Sequence, residues 1–153
     1  MKIVNKIIDL KKVISEKKGN RGFVPTMGYL HEGHSELIRK SISENDITIV
    51  SIYVNPVQFG EGEDLEKYPR DIESDIDILR SLGVNILFLP DNEEIYPKGY
   101  KTFISVNEMD KVLCGSSRPG HFTGVTTIVL KLINIVGPDC IYFGKKDAQQ
   151  LII

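Results

Sequence analysis

Arg21-Gly-Phe-Val-Pro-Thr-Met-Gly-Tyr-Leu-His-Glu-Gly-His34 is the stretch on which the reading of this chain turns. It opens as a short apolar run, passes through a glycine-containing turn with two histidines, and leads into Leu37-Ile-Arg-Lys-Ser-Ile42, which has the spacing of an amphipathic helix. A strand, a tight turn and a helix in that order leave unpaired N–H groups and the positive end of a helix dipole at one point. Such a junction suits an anion, and a phosphate above all. Gly28 and Gly33 remove side chains where a phosphate would approach the backbone, and His31 and His34 supply imidazoles beside it.

Outward from that junction the chain alternates helix and strand patterns. Ile7, Leu10 and Ile14 mark a helix that frays at Lys17-Lys-Gly-Asn20. Phe23-Val-Pro25 reads as the first buried strand. The helix after His34 runs to about Asn45, and Thr48 to Val54 is a second buried strand. Asp71 to Leu82 carries Ile72, Ile76 and Leu79 on one stripe with Gly83 placed to stop it. Val84 to Leu89 is a third strand, closed by Pro90. A looser region follows, with a short strand expected near Phe103–Val106 and a helical turn from Met109 to Leu113. Val125 to Ile135 is a largely buried helix ended by Gly137-Pro138, and Cys140–Phe143 a fourth core strand leading to Gly144-Lys-Lys-Asp147 and a new helix.

Strands alternating with helices predict a parallel sheet built from crossovers, an α/β fold of Rossmann-like type. Ligands in such sheets bind beyond the carboxyl ends of the strands. The residues with chemistry to offer fall at those ends: Thr26 to His34, Asn55 to Phe59, and Gly144 to Asp147.

Composition narrows the partners. With 153 residues, 41% of them apolar and 26% charged, the chain has an ordinary globular balance. A net charge of −2 gives no basic footprint for a nucleic acid. No run is long enough for a membrane span, and Met1-Lys-Ile-Val-Asn-Lys6 does not read as a secretory leader. Cys114 and Cys140 are too few for a disulfide framework, so free thiols and a cytoplasmic protein are expected. The chain stops at Gln149-Gln-Leu-Ile-Ile153 inside an apolar helical pattern without a cap, which reads as a fragment of something longer.

Other phosphate motifs fail. Gly115-Ser-Ser-Arg-Pro-Gly120 has Walker spacing but is followed by His121-Phe122 rather than Lys-Ser/Thr, and Gly60-Glu-Gly62 lacks a third glycine. Two imidazoles, Lys146, helix-terminus amides and a divalent cation suffice for phosphoryl or nucleotidyl transfer, which is mostly positioning and charge stabilisation. Asn55 and Gln58 offer amides for hydroxyls or a carboxylate. Plainer readings compete: half a zinc site completed by His121, Cys114 or Cys140, a solvated strand end at Lys145-Lys146-Asp147, and core packing for Met27 and Phe59. The acidic stretch Glu61–Glu66 reads as a solvated loop or a flap over the site.

Five ordered blocks then make the chain recognisable: Pro25-Thr-Met-Gly-x-Leu-His-x-Gly-His34, Ser51-Ile-Tyr-Val-Asn-Pro-Val-Gln-Phe59, Tyr68-Pro-Arg70, Arg118-Pro-Gly-His-Phe-Thr-Gly-Val125 and Phe143-Gly-Lys-Lys-Asp-Ala-Gln-Gln150. Together they resemble the pantothenate synthetase family, from about Phe23 to the end of the chain. The histidine block alone is shared by a wide nucleotidyltransferase superfamily, so another adenylyl- or cytidylyltransferase and a non-catalytic dimerising fragment stand as alternatives.

The resemblance implies a Rossmann-like domain over residues 1–153 that binds ATP and pantoate, forms pantoyl adenylate, and passes the acyl group to β-alanine. It implies catalytic roles for His34, as proton donor, and for His31 and Lys146. It implies an ATP site from Met27, Gly28, Tyr29, Leu30, His31, Glu32, Gly33 and His34 together with Gly144, Lys145, Lys146 and Asp147. Gln58, Gln150, Asn55 and Met27 would serve pantoate and β-alanine, and Asp75 would organise Mg²⁺ through water. A homodimer is also implied, while Arg118 and His121 fall at the rim without a role.

Two positions depart from the family's pattern. Lys145 stands where a glutamate is usual and Ala148 where a tyrosine is common, which reads as tuning because Lys146 and Asp147 are kept. The resemblance implies that a further phosphate loop and a C-terminal lid domain belong beyond these 153 residues. Weak nucleotide binding and poor turnover by this chain alone are therefore expected.

Overall fold

A computed structural model describes residues 1–60 and 65–153 of the chain. Most of the expected acidic loop, residues 61–64, lies outside the described residues. The strands are β1 (Lys2–Val4), β2 (Arg21–Thr26), β3 (Ile47–Ile52), β4 (Ile86–Phe88) and β5 (Cys140–Ile141), all parallel, in the order β1-β4-β3-β2-β5. The helices are α1 (Ile7–Ser15), α2 (Glu32–Glu44), α3 (Ile72–Leu82), α4 (Asn92–Ile95), α5 (Cys114–Ser117), α6 (His121–Val136) and α7 (Ala148–Ile152).

Alternation along the strands sorts the core into two layers. Phe23, Ile49 and Phe88 pack on one face with Leu10 of α1 and Ile128 and Leu132 of α6. Val24, Val50 and Leu87 pack on the other with Ile38 of α2 and Leu79 of α3. All six residues of β3 are buried, which is why its sequence is a continuous rather than an alternating apolar run. Asp71 caps α3 by accepting from the Ser74 N–H, and Gly83 closes it at φ 87°.

Three strand assignments need correction. The strand at Phe23 is the second: β1 precedes it at the sheet edge, three residues paired with β4 and too short to show a period. No strand forms at Phe103–Val106. There the Ile104 N–H donates to Thr127 Oγ1 (2.9 Å) and the Thr126 hydroxyl donates to the Ile104 carbonyl (2.6 Å), so α6 side chains take the bonds a neighbouring strand would have taken. The strand at Cys140 is a two-residue edge rather than a core strand, with Cys140 exposed. Helix α6 also starts four residues before the expected Val125, at His121.

The strand order explains why a site forms where it does. From β2 the chain moves through α2 to β3 and through α3 to β4, on one face of the sheet. It then returns over the opposite face through α6 to β5, on the far side of β2. The direction of winding reverses at β2, and the crevice beyond the carboxyl ends of β2 and β5 is where such folds take ligands.

Candidate functional site

At the end of β2 the Thr26 hydroxyl donates to the Ser51 carbonyl (2.9 Å) and accepts from the Gly28 N–H (3.2 Å), tying the turn to β3. Gly28 and Tyr29 then take left-handed conformations, φ 81° and 52°. The carboxylate of buried Asp75, on α3, accepts the N–H groups of Tyr29 (2.9 Å) and Leu30 (2.7 Å). The next residue, His31, is the N-cap of α2.

The two histidines form a reciprocal capping box. His31 Nδ1 accepts from the Gly33 N–H (3.1 Å), and His34 Nδ1 accepts from the His31 N–H (3.4 Å). Their ring centroids are 4.2 Å apart. A ring whose Nδ1 accepts carries its hydrogen on Nε2 when neutral, so the cap fixes both tautomers and leaves two Nε2–H donors for a ligand. The 13-residue helix behind them adds its positive dipole end.

Burial, followed by the neighbouring His31, holds the His34 imidazole below the ordinary histidine range; Asp75 and Asp147 pull upward and Lys146 downward. The charges of α3 and of the 144–147 turn are thus felt at one ring, which joins three separate chain segments electrostatically. The sign follows. An unfolded His34 takes up a proton near pH 6.5 while the folded one resists it, so stability is lost as pH falls through that value. In an NMR titration the His34 ring is expected to show a midpoint below 6.5; a midpoint at or above 6.5 would mean the ring is solvated or paired with a carboxylate.

The end of β3 supplies the amides. Asn55 is buried and its side chain is fully used: Nδ2 donates to Gln58 Oε1 (3.2 Å) and the Gly124 carbonyl (3.1 Å), while Oδ1 accepts from the Val57 N–H (3.3 Å) and the Tyr96 hydroxyl (3.0 Å). It shapes the turn rather than facing a ligand. Gln58 reaches back to β2, its Nε2 lying 3.2 Å from Met27 Sδ. Its backbone carbonyl accepts from His121 Nδ1 (2.9 Å), and Arg118 Nη1 lies 3.0 Å from His121 Nε2. Arg118 and His121, which the sequence places at the rim without a role, brace the Gln58 turn.

Beyond β5, Lys145, Lys146 and Asp147 form an exposed 3-10 turn, with Gly144 before it and Gln150 half-buried on α7. The anchor of α7 is Gln149, read from the sequence as an ordinary helix residue. Its Oε1 accepts the Cys114 N–H (3.0 Å) and its Nε2 donates to the carbonyls of Met109 (3.3 Å) and Val112 (2.7 Å). Only the distant partners reveal it. Glu32 and Gly33 lie exposed in the first turn of α2.

A cavity of about 230 Å³ opens beside the β2 turn, lined by Gly28, Tyr29, Tyr53, Arg70, Asp75 and Asn92. A larger one, about 430 Å³, lies at the amino ends of the strands among Lys11, Lys17, Arg21 and Val136 and touches none of these groups. Among the described residues no three His, Cys, Asp or Glu gather as a metal cluster, and both cysteines are free and exposed. Asp75 has each oxygen engaged by a backbone N–H, so to a nearby cation it offers negative charge and a lone pair for a coordinated water rather than an open ligand position.

A parallel α/β sheet whose winding reverses at a histidine-capped helix N-terminus defines a Rossmann-like domain. Residues 2–153 match the family model described as pantoate-beta-alanine ligase. The chain is 55% identical over 156 residues to a pantothenate synthetase of Caldicellulosiruptor saccharolyticus, all of this chain against 56% of that protein. It is 56% identical over 154 residues to one from Aquifex aeolicus, 99% of this chain against 55% of the relative. The crystal structure of the Thermus thermophilus pantothenate synthetase superposes with a TM-score of 0.96 at 44% identity, covering 100% of this chain and 55% of that one. A Francisella tularensis pantoate-beta-alanine ligase, complexed with beta-gamma ATP and beta-alanine, superposes equally well (0.96) at 46% identity, covering 99% and 59%. The chain belongs to the pantoate–beta-alanine ligase family, and it spans little more than half the length of these relatives. Among the described residues no helix is long and apolar enough to cross a membrane.

Proposed function

We propose that this chain is the ATP- and pantoate-binding domain of an AMP-forming ligase that joins pantoate to β-alanine. The observation that carries this reading is what lies at three strand ends: the histidine-capped turn after β2, the Gln58 turn that touches Met27, and the 144–147 turn whose charges act on the His34 imidazole. Family membership and the beta-gamma ATP and beta-alanine named for the Francisella relative support it.

In this reading the α2 N-terminus and the Nε2–H groups of His31 and His34 hold the phosphates, with Met27, Gly28, Tyr29, Leu30, Glu32 and Gly33 lining the approach. Gly144, Lys145, Lys146 and Asp147 close the other side, Lys146 as a point positive charge. Gln58 and Gln150 orient the pantoate carboxylate beside Met27, and Asn55 holds Gln58 in place. A carboxylate oxygen then attacks the α-phosphorus, a P–O bond forms, and the bond to the β-phosphate oxygen breaks to release pyrophosphate. Donors already aimed at the developing charge lower the barrier without reorganising. The β-alanine amine next attacks the acyl carbon of pantoyl adenylate, AMP leaves, and the nitrogen loses a proton to give the amide. Mg²⁺ bound to the nucleotide would supply additional charge neutralisation, with Asp75 the buried carboxylate available to it through water. A homodimer and a cytoplasmic location complete the reading.

Exchange of labelled pyrophosphate into ATP tests it. Exchange is expected only when pantoate is present; exchange driven by a different acid, or by none, would assign the chain another nucleotidyl transfer.

A further inference from the structure

We propose that Asp75 is a positioning residue, a carboxylate clamp that holds the β2–α2 turn in its left-handed conformation and so delivers the two histidines to the phosphate site. The inference rests on the ATP-binding role given above and adds to it a residue that acts through the backbone.

Asp75 is 1% exposed, and the contacts of its two oxygens divide neatly: Oδ2 takes the Tyr29 N–H at 2.9 Å and Oδ1 takes the Leu30 N–H at 2.7 Å. Two hydrogen bonds to an ionised acceptor offset much of the cost of burying that charge. What they hold is unfavourable by itself. Tyr29 sits at φ 52°, a conformation that costs a side-chain-bearing residue about 1–2 kcal/mol. Tyr29 is 57% exposed, so packing does little to hold it there. The carboxylate also presses on the preceding residue: a Cβ built on Gly28, which stands at φ 81°, would lie 2.9 Å from Asp75 Oδ2. Two successive left-handed residues turn the chain sharply, and His31 follows directly as the N-cap of α2. Without the clamp Tyr29 relaxes to an ordinary φ, the turn opens, and the His31–His34 box loses its fixed start.

This differs from a purely structural acid at the first turn of α3 and from a group that only orders a hydrated cation. In either of those cases the identity of residue 29 is irrelevant. If Asp75 clamps a strained turn, glycine at that position removes the strain and makes the clamp dispensable.

The test is a double-mutant cycle read by calorimetric titration with ATP, supported by amide exchange on the whole chain. Asp75→Asn is expected to weaken ATP binding about tenfold or more in the Tyr29 protein and less than about threefold in the Tyr29→Gly background. Asp75→Glu, which keeps the charge but moves the oxygens, is expected to show the same dependence on background if Asp75→Asn folds poorly. The Tyr29 and Leu30 amides are expected to be protected in the parent and to exchange faster in Asp75→Asn, a readout that holds whether or not the ligase reading is right. Equal losses in both backgrounds, or amides indifferent to Asp75→Asn, would overturn the clamp.

Discussion

His34→Gln is expected to fold as the parent does and yet lose about 10²-fold in pantoate-dependent exchange. Glutamine at the third position of a helix is itself a capping-box residue, so it can still accept the His31 N–H that His34 Nδ1 accepts now. What it removes is a rigid ring with its hydrogen fixed on Nε2. The imidazole is half-buried, kept neutral, and aligned 4.2 Å from its partner ring, so its donor is already oriented before a phosphate arrives. A flexible amide must be ordered first, at the cost of side-chain entropy. An unfolding free energy from urea denaturation within about 1 kcal/mol of the parent would show that the cap survives. Parent-like exchange in that stable variant would show that the Nε2–H is not part of the transition-state clamp.

Gly124→Ala is expected to be the most damaging small substitution for the fold of the site. A Cβ there would lie 2.5 Å from the Gln58 Cα, 2.6 Å from its nitrogen and 2.6 Å from the Val57 oxygen. All three are backbone atoms, so no side chain can swing aside; either α6 backs away or the 55–58 turn moves. Either response strains the Asn55 bond to the Gly124 carbonyl and the His121 bond to the Gln58 carbonyl. Overpacking of this kind costs about 3 kcal/mol or more where nothing can yield. Gly144→Ala is the control, since a Cβ there meets nothing within 4 Å and its φ is −78°. Chemical denaturation of the pair decides it: equal midpoints for Gly124→Ala and the parent would mean that α6 does not press on the Gln58 turn.

The contrast between these two sites shows what the sequence made legible. The His31–His34 pair is local; four consecutive positions carry it, and a strand before and a helix after give it a context. The helices from Ile7, Asp71 and Val125 were legible for the same reason, because apolar spacing over three turns is a strong periodic signal. Signals shorter than a period were lost. Strand β1 has three residues and β5 two, and their pairing depends on β4 and β2 rather than on anything they spell themselves. Phe103–Val106 failed in the opposite direction: its aromatic and β-branched residues suit a strand, but the threonine hydroxyls of α6 take its backbone bonds.

The supporting residues of the site were illegible for a related reason. Asp75 meets Tyr29 across 46 positions, Gln149 meets Cys114 across 35, and His121 meets Gln58 across 63. Each partner set exists only after the sheet has folded, and nothing nearby in sequence announces it. Asn55 was legible as an amide at a strand end, but its complete use by Gln58, Gly124, Val57 and Tyr96 was not.

In the proposed reading, segments from three strand ends form one site for ATP and a small carboxylate. Backbone amide mapping by NMR, with ATP and pantoate added separately to the 153-residue chain, tests it most directly. ATP is expected to shift the 28–34 and 144–147 amides together, and pantoate those of Met27, Gln58 and Gln150. Shifts gathered instead around Lys11, Lys17 and Arg21, or ATP acting on one of the two turns without the other, would contradict it.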